Sequence, residues 1–469
     1  MKATIIYTLF LLGLCLDSFG QNCNCEQELL YVKHKLELNY AGYKDKVNAE
    51  TKARYEKETD AALARSKAIT KPAYCIYLIK DWMSFFRDGH LQIGRNQMTK
   101  ETEIAALQKR MQETESIKLS ASQLSALNKQ NDIEGIYWNS DSTIQIALMK
   151  ASNNFRTFAG VILTSKVNSW KPGQVILELK SPSTWDTLKG IEYDNNHIPA
   201  SVTVAFNKNS LGEWQKAGTK SSLAETVLQT DVASKLLSEK TFYIKIGTFN
   251  QRNAHNIDSL FIVNKTTLEK TPNLILDLRD NGGGSDFAYR PITPYIYTDT
   301  IKTVGADILA SEDNMAGWAS LLQMNDIPDD QKVFIADVVK QMKQHIGSFI
   351  SLSEGGNTTF ENIEPYPKKV AILVNRHCGS TTEEFLLAAQ QSSKVTLMGE
   401  PTAGVLDYAN MRSVDFSCMP YTLYLATSRS KRIEQGKAID NVGIKPDKTL
   451  SQQQNWIQEA QHYLENEVQ

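Results

Sequence analysis

Apolar residues fall at helical spacing in "QELLYVKHKLELNY" (27–40) and "AYCIYLIKDWMSFF" (73–86), inside a stretch rich in Glu, Lys, Leu and Ala from Cys25 to about residue 127. That spacing predicts a helical N-terminal segment whose helices each bury one stripe. One interruption stands out: "RDGHLQIGRNQ" (87–97) breaks the pattern at Gly89 and places His90 just beyond it. From about 130 to 235 the period shortens. "STIQIALM", "FAGVILTS", "GQVILEL" and "ASVTVAF" read as short strands separated by Asn, Ser, Gly and Pro turns, an antiparallel β domain of small-barrel type. From about 240 strands alternate with helices, and "TFYIKIGTF", "NLILDLRD", "KVAILVN" and "VTLMGE" are near-continuous apolar runs. Such runs suit a sheet covered on both faces. Residues 308–352 read as a helical insertion, with a clear stripe in "KVFIADVVKQMKQHIGSFI", and its place beside a glycine-rich loop makes it a candidate lid or cleft wall. No internal repeat or low-complexity tract occurs.

Length fits this division, since 469 residues exceed one ordinary core. The layout expected is α/β multidomain: residues 1–20 an address segment, 21–128 helical, 129–238 β-rich, and 239–469 an α/β domain carrying the insertion. The first segment is expected to be a signal peptide, because Lys2 precedes "TIIYTLFLLGLCL" and a small-residue site follows, with cleavage after Gly20. The apolar run is too short for a stable membrane span. Cys15 follows Leu14 rather than a small residue, which disfavours a lipid-modified cysteine. With 51 Lys+Arg against 53 Asp+Glu the net charge is -2, so there is no basic excess to bind nucleic acid. After cleavage five cysteines remain, and export permits disulfides; Cys75 is expected to pair with Cys23 or Cys25. The C-x-C spacing has no second Cys/His cluster of ligand spacing, so no metal is assigned.

Two constellations carry candidate chemistry. In "LILDLRDNGGGS" a strand runs into Asn281-Gly282-Gly283-Gly284, glycines that let the backbone turn and present bare N–H groups to an oxyanion or a phosphate. Neither phosphate-loop spacing is present, since Ser285 and Asp286 follow. In "KKVAILVNRHCGSTTEEFLLAAQ" a strand ends at Asn375 and Ser380 opens an amphipathic helix. A serine there is commonly only an N-cap. The same junction also exposes its hydroxyl at the top of a sheet, at the positive end of the helix dipole, with the Thr381 N–H beside it.

"LILDLRDNGGG", "VAILVNRHCGSTTEEFLLAAQ", "GEPTAG" and "DNVGIKPD", in that order, resemble the C-terminal processing (tail-specific) and tricorn-type serine peptidases. The match spans about 240 to 450, and "DGHL" in the helical segment fits as well. The resemblance implies a crotonase- and Clp-protease-like fold with Ser380 as nucleophile, in the middle serine of the family's S-A-S-A-S-E pattern. It implies Gly283 and Thr381 as oxyanion donors. One departure matters: the family's Ser/Lys members carry their lysine directly after the "GE-x-T-x-G" block, where this chain has Val405. Lys394, Lys431 and Lys437 lie elsewhere.

A serine without that lysine needs another base, and histidine suits the task. Seven are available: His34, His90, His197, His255, His345, His377 and His462. The tricorn-type branch takes its histidine from a "DGH" turn in the N-terminal domain, which selects His90; His377 competes by nearness to Ser380. The branch's acid lies near the "GV-x-PD" block, which selects Asp440, with Glu434 in reserve. Residues 130–235 lack the glycine-rich carboxylate loop of the PDZ domain found in many relatives, so PDZ-type tail capture is not expected. The resulting expectation is an exported (periplasmic or secreted) serine endopeptidase acting on protein or peptide substrates, with catalytic Ser380, His90 and Asp440, no cofactor, no nucleic acid partner and an open oligomeric state. The rival is an inactive relative that binds peptides or apolar ligands in the same cleft.

Overall fold

In a computed structural model the chain is described over residues 23–96, 100–127, 133–180, 187–218, 231–324, 327–451 and 453–466; the expected signal peptide lies outside them. The protein is mixed α/β, built on three sheets.

The site rests on the six-stranded sheet, in the order Val232–Ser238, Thr241–Ile246, Asn273–Asp277, Lys369–Val374, Val395–Gly399, Lys448–Thr449. The first pair is antiparallel and all others are parallel. The apolar runs are continuous because both faces are covered. Leu274, Leu276, Val370 and Ile372 pack under the helices Ala254–Val263 and Thr381–Ala389, while Ile275, Ala371 and Leu373 meet the C-terminal helix Trp456–Asn466 through Trp456, Ala460 and Leu464. Val232–Ser238, read from sequence as the end of the β-rich segment, is the edge strand of this sheet. None of its residues is fully buried, as suits a strand paired on one side only.

The β-rich segment is an eight-stranded antiparallel sheet from Gly135–Trp138 to Trp214–Lys216, and a bridge between Phe206 and Leu211 joins the two ends of its strand order. Its interior is lined by Ile146, Leu148, Ile162, Leu177 and Leu188, which alternate with outward residues.

A five-stranded antiparallel sheet forms the third layer: Gln92–Arg95, Tyr421–Ser430, Ile301–Leu309 and Phe349–Thr358 in order, with Tyr408–Asp415 also paired to Tyr421–Ser430. The helical insertion is narrower than 308–352. Helices Glu312–Leu321 and Asp329–Gln344 stand between two strands of this sheet and pack on it through Trp318, Ile335, Val338 and Met342 against Ile308 and Ile350.

The N-terminal helices Cys25–Asn39, Lys52–Ser66 and Pro72–Met83 have no core of their own. Leu29, Leu36, Ile79 and Phe86 share one cluster with Tyr408, Leu423, Leu425 and Ala426 of the third sheet. Buried Glu28 accepts hydrogen bonds from the backbone N–H groups of Ser417 (2.6 Å), Cys418 (3.1 Å) and Met419 (3.2 Å). Cys25 takes Cys75, and Cys23 reaches Cys418, 395 residues away, a closure that spacing does not reveal. The two sulfurs beside Glu28 are thus joined to each other and offer no thiolate to a metal. Among the described residues no helix is long and apolar enough to cross a membrane.

Candidate active site

Ser380 sits where the strand Lys369–Val374 hands over to the helix Thr381–Ala389, and its backbone is held at φ 55, ψ -127. That left-handed region disfavours any residue with a Cβ, costs about 1–3 kcal/mol, and is concentrated at functional sites. Its hydroxyl makes no capping bond to the helix, which removes the N-cap explanation. Several contacts hold the turn. The Ser380 N–H donates to Val405 O (3.1 Å), and Ala403 N–H donates to Cys378 O (2.8 Å). Fully buried Glu383 accepts from the Gly404 N–H (2.7 Å), the Val405 N–H (2.8 Å) and the Thr402 hydroxyl, which ties the helix to the 402–405 loop. Burial pushes the neighbouring Cys378 thiol up to about 12, and it donates to Leu278 O, so it is no competing nucleophile.

The glycine loop lies against this turn. A Cβ built on Gly283 (φ +103) would come within 2.9 Å of both Ser380 Cβ and the Thr381 nitrogen, so only glycine fits. Of the two expected oxyanion donors, the Thr381 N–H is unengaged among the described residues. The Gly283 N–H instead donates to Asn281 Oδ1 (3.0 Å), an oxygen that also accepts from Thr382 Oγ1 (2.9 Å) and the Phe249 N–H (3.2 Å). Asn281 is fully buried and fastens the loop to the nucleophile's helix, a role its neighbours in sequence do not announce.

His90 comes from the turn after the helix Pro72–Met83, and its Nε2 is 3.3 Å from Ser380 Oγ. The turn can approach because residue 89 is glycine: a Cβ there would meet Val405 Cγ1 at 2.7 Å. Position 405, the lysine position of the Ser/Lys enzymes, is therefore filled by a side chain that abuts the histidine turn. His90 Nδ1 is buried with no hydrogen-bond partner among the described residues, and Asp88 Oδ1 lies 3.8 Å from it. Asp88 accepts from the His90 backbone N–H (2.8 Å) and from Tyr40 OH (2.6 Å), and its side chain is 1% exposed.

Asp440, the expected orienting acid, makes no hydrogen bond to His90. Its Oδ1 accepts from the N–H groups of Leu406 (3.2 Å) and Asp407 (3.0 Å), and its Oδ2 is 3.6 Å from Lys46 Nζ. Aspartate is one methylene shorter than the family's glutamate, and these bonds keep it on its own loop. Burial, then the nearby Asp88 charge, push its carboxyl up to about 6. Glu434 pairs with Arg429 at the surface, with 63% of its side chain exposed, and His377 is exposed beside Arg376. Lys394 donates to Glu364 O, and Lys431 is held by Asp307 and Glu354.

Ser380 and His90 open on a cleft of about 560 Å³ also lined by Gly284, Thr381, Glu384, Met411 and Arg432, and by no lysine among the described residues. Arg432 is paired with Glu384 and with buried Asp407.

A hydroxyl on a strained strand-to-helix turn, a histidine nitrogen within reach and an unengaged backbone donor beside it fit acyl transfer through a serine. Residues 240–450 match the model of peptidase family S41, which indicates a serine-type peptidase. Solved structures to which the chain is similar include mature CPAF complexed with lactacystin, at 14% identity, covering 94% of this chain and 96% of that one, TM-score 0.49. The photosystem II D1 C-terminal processing protease follows at 14% identity, with coverage of 92% and 94% and a TM-score of 0.39. The tricorn protease matches at 10% identity over 91% of this chain and 34% of its own, TM-score 0.37. Among curated proteins none matches the chain.

Proposed function

We propose that the protein is an exported serine endopeptidase in which Ser380 attacks a peptide carbonyl while its proton passes to His90 Nε2. The carrying observation is the 3.3 Å approach of those two atoms. The Thr381 N–H stabilises the oxyanion, joined by the glycine loop once substrate draws the Gly283 N–H from Asn281. The imidazolium then protonates the leaving amine, and water, activated by the same histidine, releases the acyl-enzyme. For Nε2 to accept the proton, Nδ1 must carry a hydrogen. Asp88, 3.8 Å away, is the carboxylate best placed to receive it, with Asp440 behind it as a second buried acid.

Export is supported by the two disulfides, which need an oxidising compartment to persist. A crotonase- and Clp-protease-like arrangement of the α/β part is supported by the parallel sheet with its nucleophile at a strand-to-helix turn. The strain held at Ser380 argues against a merely binding relative, which would gain nothing from it. A fluorophosphonate probe should label the wild type and not Ser380→Ala, and casein should be hydrolysed only by the wild type. Equal labelling of both proteins would end the proposal.

A further inference from the structure

Arg412 lines the same cleft as Ser380 and His90, on the strand Tyr408–Asp415. The other arginine of the cleft, Arg432, is neutralised by two carboxylates, whereas Arg412 has no carboxylate partner among the described residues. Among the described residues its Nη1 donates only to Met411 O (2.8 Å), and its buried Nε has no partner. The guanidinium is nevertheless held in place, with Cζ 5.0 Å from the ring centroid of Trp318, whose indole N–H is a second buried donor with no partner among the described residues. Gly317 makes room, since a Cβ there would lie 3.0 Å from Arg412 Cδ. Holding a partly buried guanidinium without an anion is costly, and such a group has its donors organised for a carboxylate before one arrives.

We propose that Arg412 is a specificity residue that binds a carboxylate of the peptide substrate, either an acidic side chain or the chain's own C-terminus. This rests on the peptidase reading, because it takes the cleft to hold peptide. Trp318 and the helix Glu312–Leu321 thereby act as the supporting wall of the subsite.

The test separates the two readings by measuring binding in Ser380→Ala protein, where no hydrolysis occurs. The probes are fluorescein-labelled eight-residue alanine peptides: one with a free C-terminal carboxylate, one amidated, and amidated versions carrying a single Glu or Gln at each position. Fluorescence anisotropy should show a tenfold or greater preference for a carboxylate-bearing peptide over its neutral partner. The free-acid and Glu series tell which source is recognised. Ser380→Ala/Arg412→Gln should erase the preference, and Ser380→Ala/Arg412→Met, which keeps the aliphatic stem over Trp318, should do the same with an unchanged melting temperature. Equal affinity for charged and neutral peptides, or a preference that survives both substitutions, overturns the proposal. Carboxylate-dependent binding with no casein hydrolysis by the wild type would uphold it and reject the peptidase reading.

Discussion

His90 Nε2 stands 3.3 Å from Ser380 Oγ, although 290 residues of chain separate the two. The approach is fixed from both sides: Gln92–Arg95 pairs with Tyr421–Ser430 just after the histidine, and Ser380 is held by the 402–405 loop. His90→Ala should therefore lower kcat/KM by about three orders of magnitude or more, as removal of triad members does. The fold should persist, because the His90 ring makes no structural hydrogen bond beyond Ser380. Steady-state hydrolysis alongside a melting curve checks both points, and near-wild-type turnover would transfer the base's role to another residue.

Strain at the nucleophile predicts an inverse effect of one substitution on stability and activity. Ser380 occupies φ 55, ψ -127 without a capping bond. Glycine adopts that region freely, so Ser380→Gly should abolish hydrolysis yet stabilise the protein by about 1 kcal/mol. Urea unfolding compared with Ser380→Ala is the measurement. Equal stability of the Gly and Ala variants would mean that the turn stores no strain.

Gly89 does not adopt a left-handed conformation, so the objection to a side chain there is contact with Val405 alone. Gly89→Ala should push the histidine turn away and lower kcat/KM about tenfold or more, given the steep dependence of catalysis on geometry. Val405→Ala removes the opposing methyl groups, and the double variant should recover most of the loss. A double variant as impaired as Gly89→Ala would show that the turn is displaced by something else.

These relationships mark the boundary of what is legible in the chain. The parallel sheet was readable because apolar runs such as "LILDL" and "VAILV" are buried on both faces. Ser380 and the glycine loop were readable because their constraints are local: a turn, a strand end and a helix start. The edge strand Val232–Ser238 belongs to the α/β part rather than to the β-rich segment, and it is hard to place because it is short, only partly buried and lacks the continuous apolar run of the inner strands. Asn281, Asp88 and Arg412 were missed for another reason. Asn281 and Arg412 are defined by what they do or do not touch far along the chain, and Asp88 by the burial that aims it at His90 two residues on; no periodicity encodes either. The N-terminal helices read as a domain, yet their apolar stripes close on the strands around Tyr408 and Leu423.

Asp440 supplies a pH signature. Its carboxyl is raised from 3.8 to about 6, first by burial and then by Asp88, while Lys46 opposes the shift. A raised carboxyl binds its proton more tightly in the folded state, so its contribution to stability is full below about pH 4 and is lost as pH rises through about 6. Asp440→Asn cannot titrate. The stability of the wild type relative to Asp440→Asn should thus be greater at pH 4.5 than at pH 7, measured by urea midpoints. The opposite order would mean that Lys46 keeps Asp440 ionised in the folded protein.

The Cys23–Cys418 bond closes 395 residues and pins the first helix to the loop that precedes the strand Tyr421–Ser430. Cross-links over long loops stabilise mainly by restricting the unfolded chain, so Cys23→Ser should cost about 2–5 kcal/mol. The histidine's position has independent support, from the Glu28 hydrogen bonds to residues 417–419 and from the pairing of Gln92–Arg95. The variant should therefore melt several degrees lower but hydrolyse peptide at close to the wild-type rate well below its melting temperature. A collapse of kcat at 25 °C with the melting temperature unchanged would show the reverse, that this bond sets the distance between His90 and Ser380 rather than the stability of the fold around them.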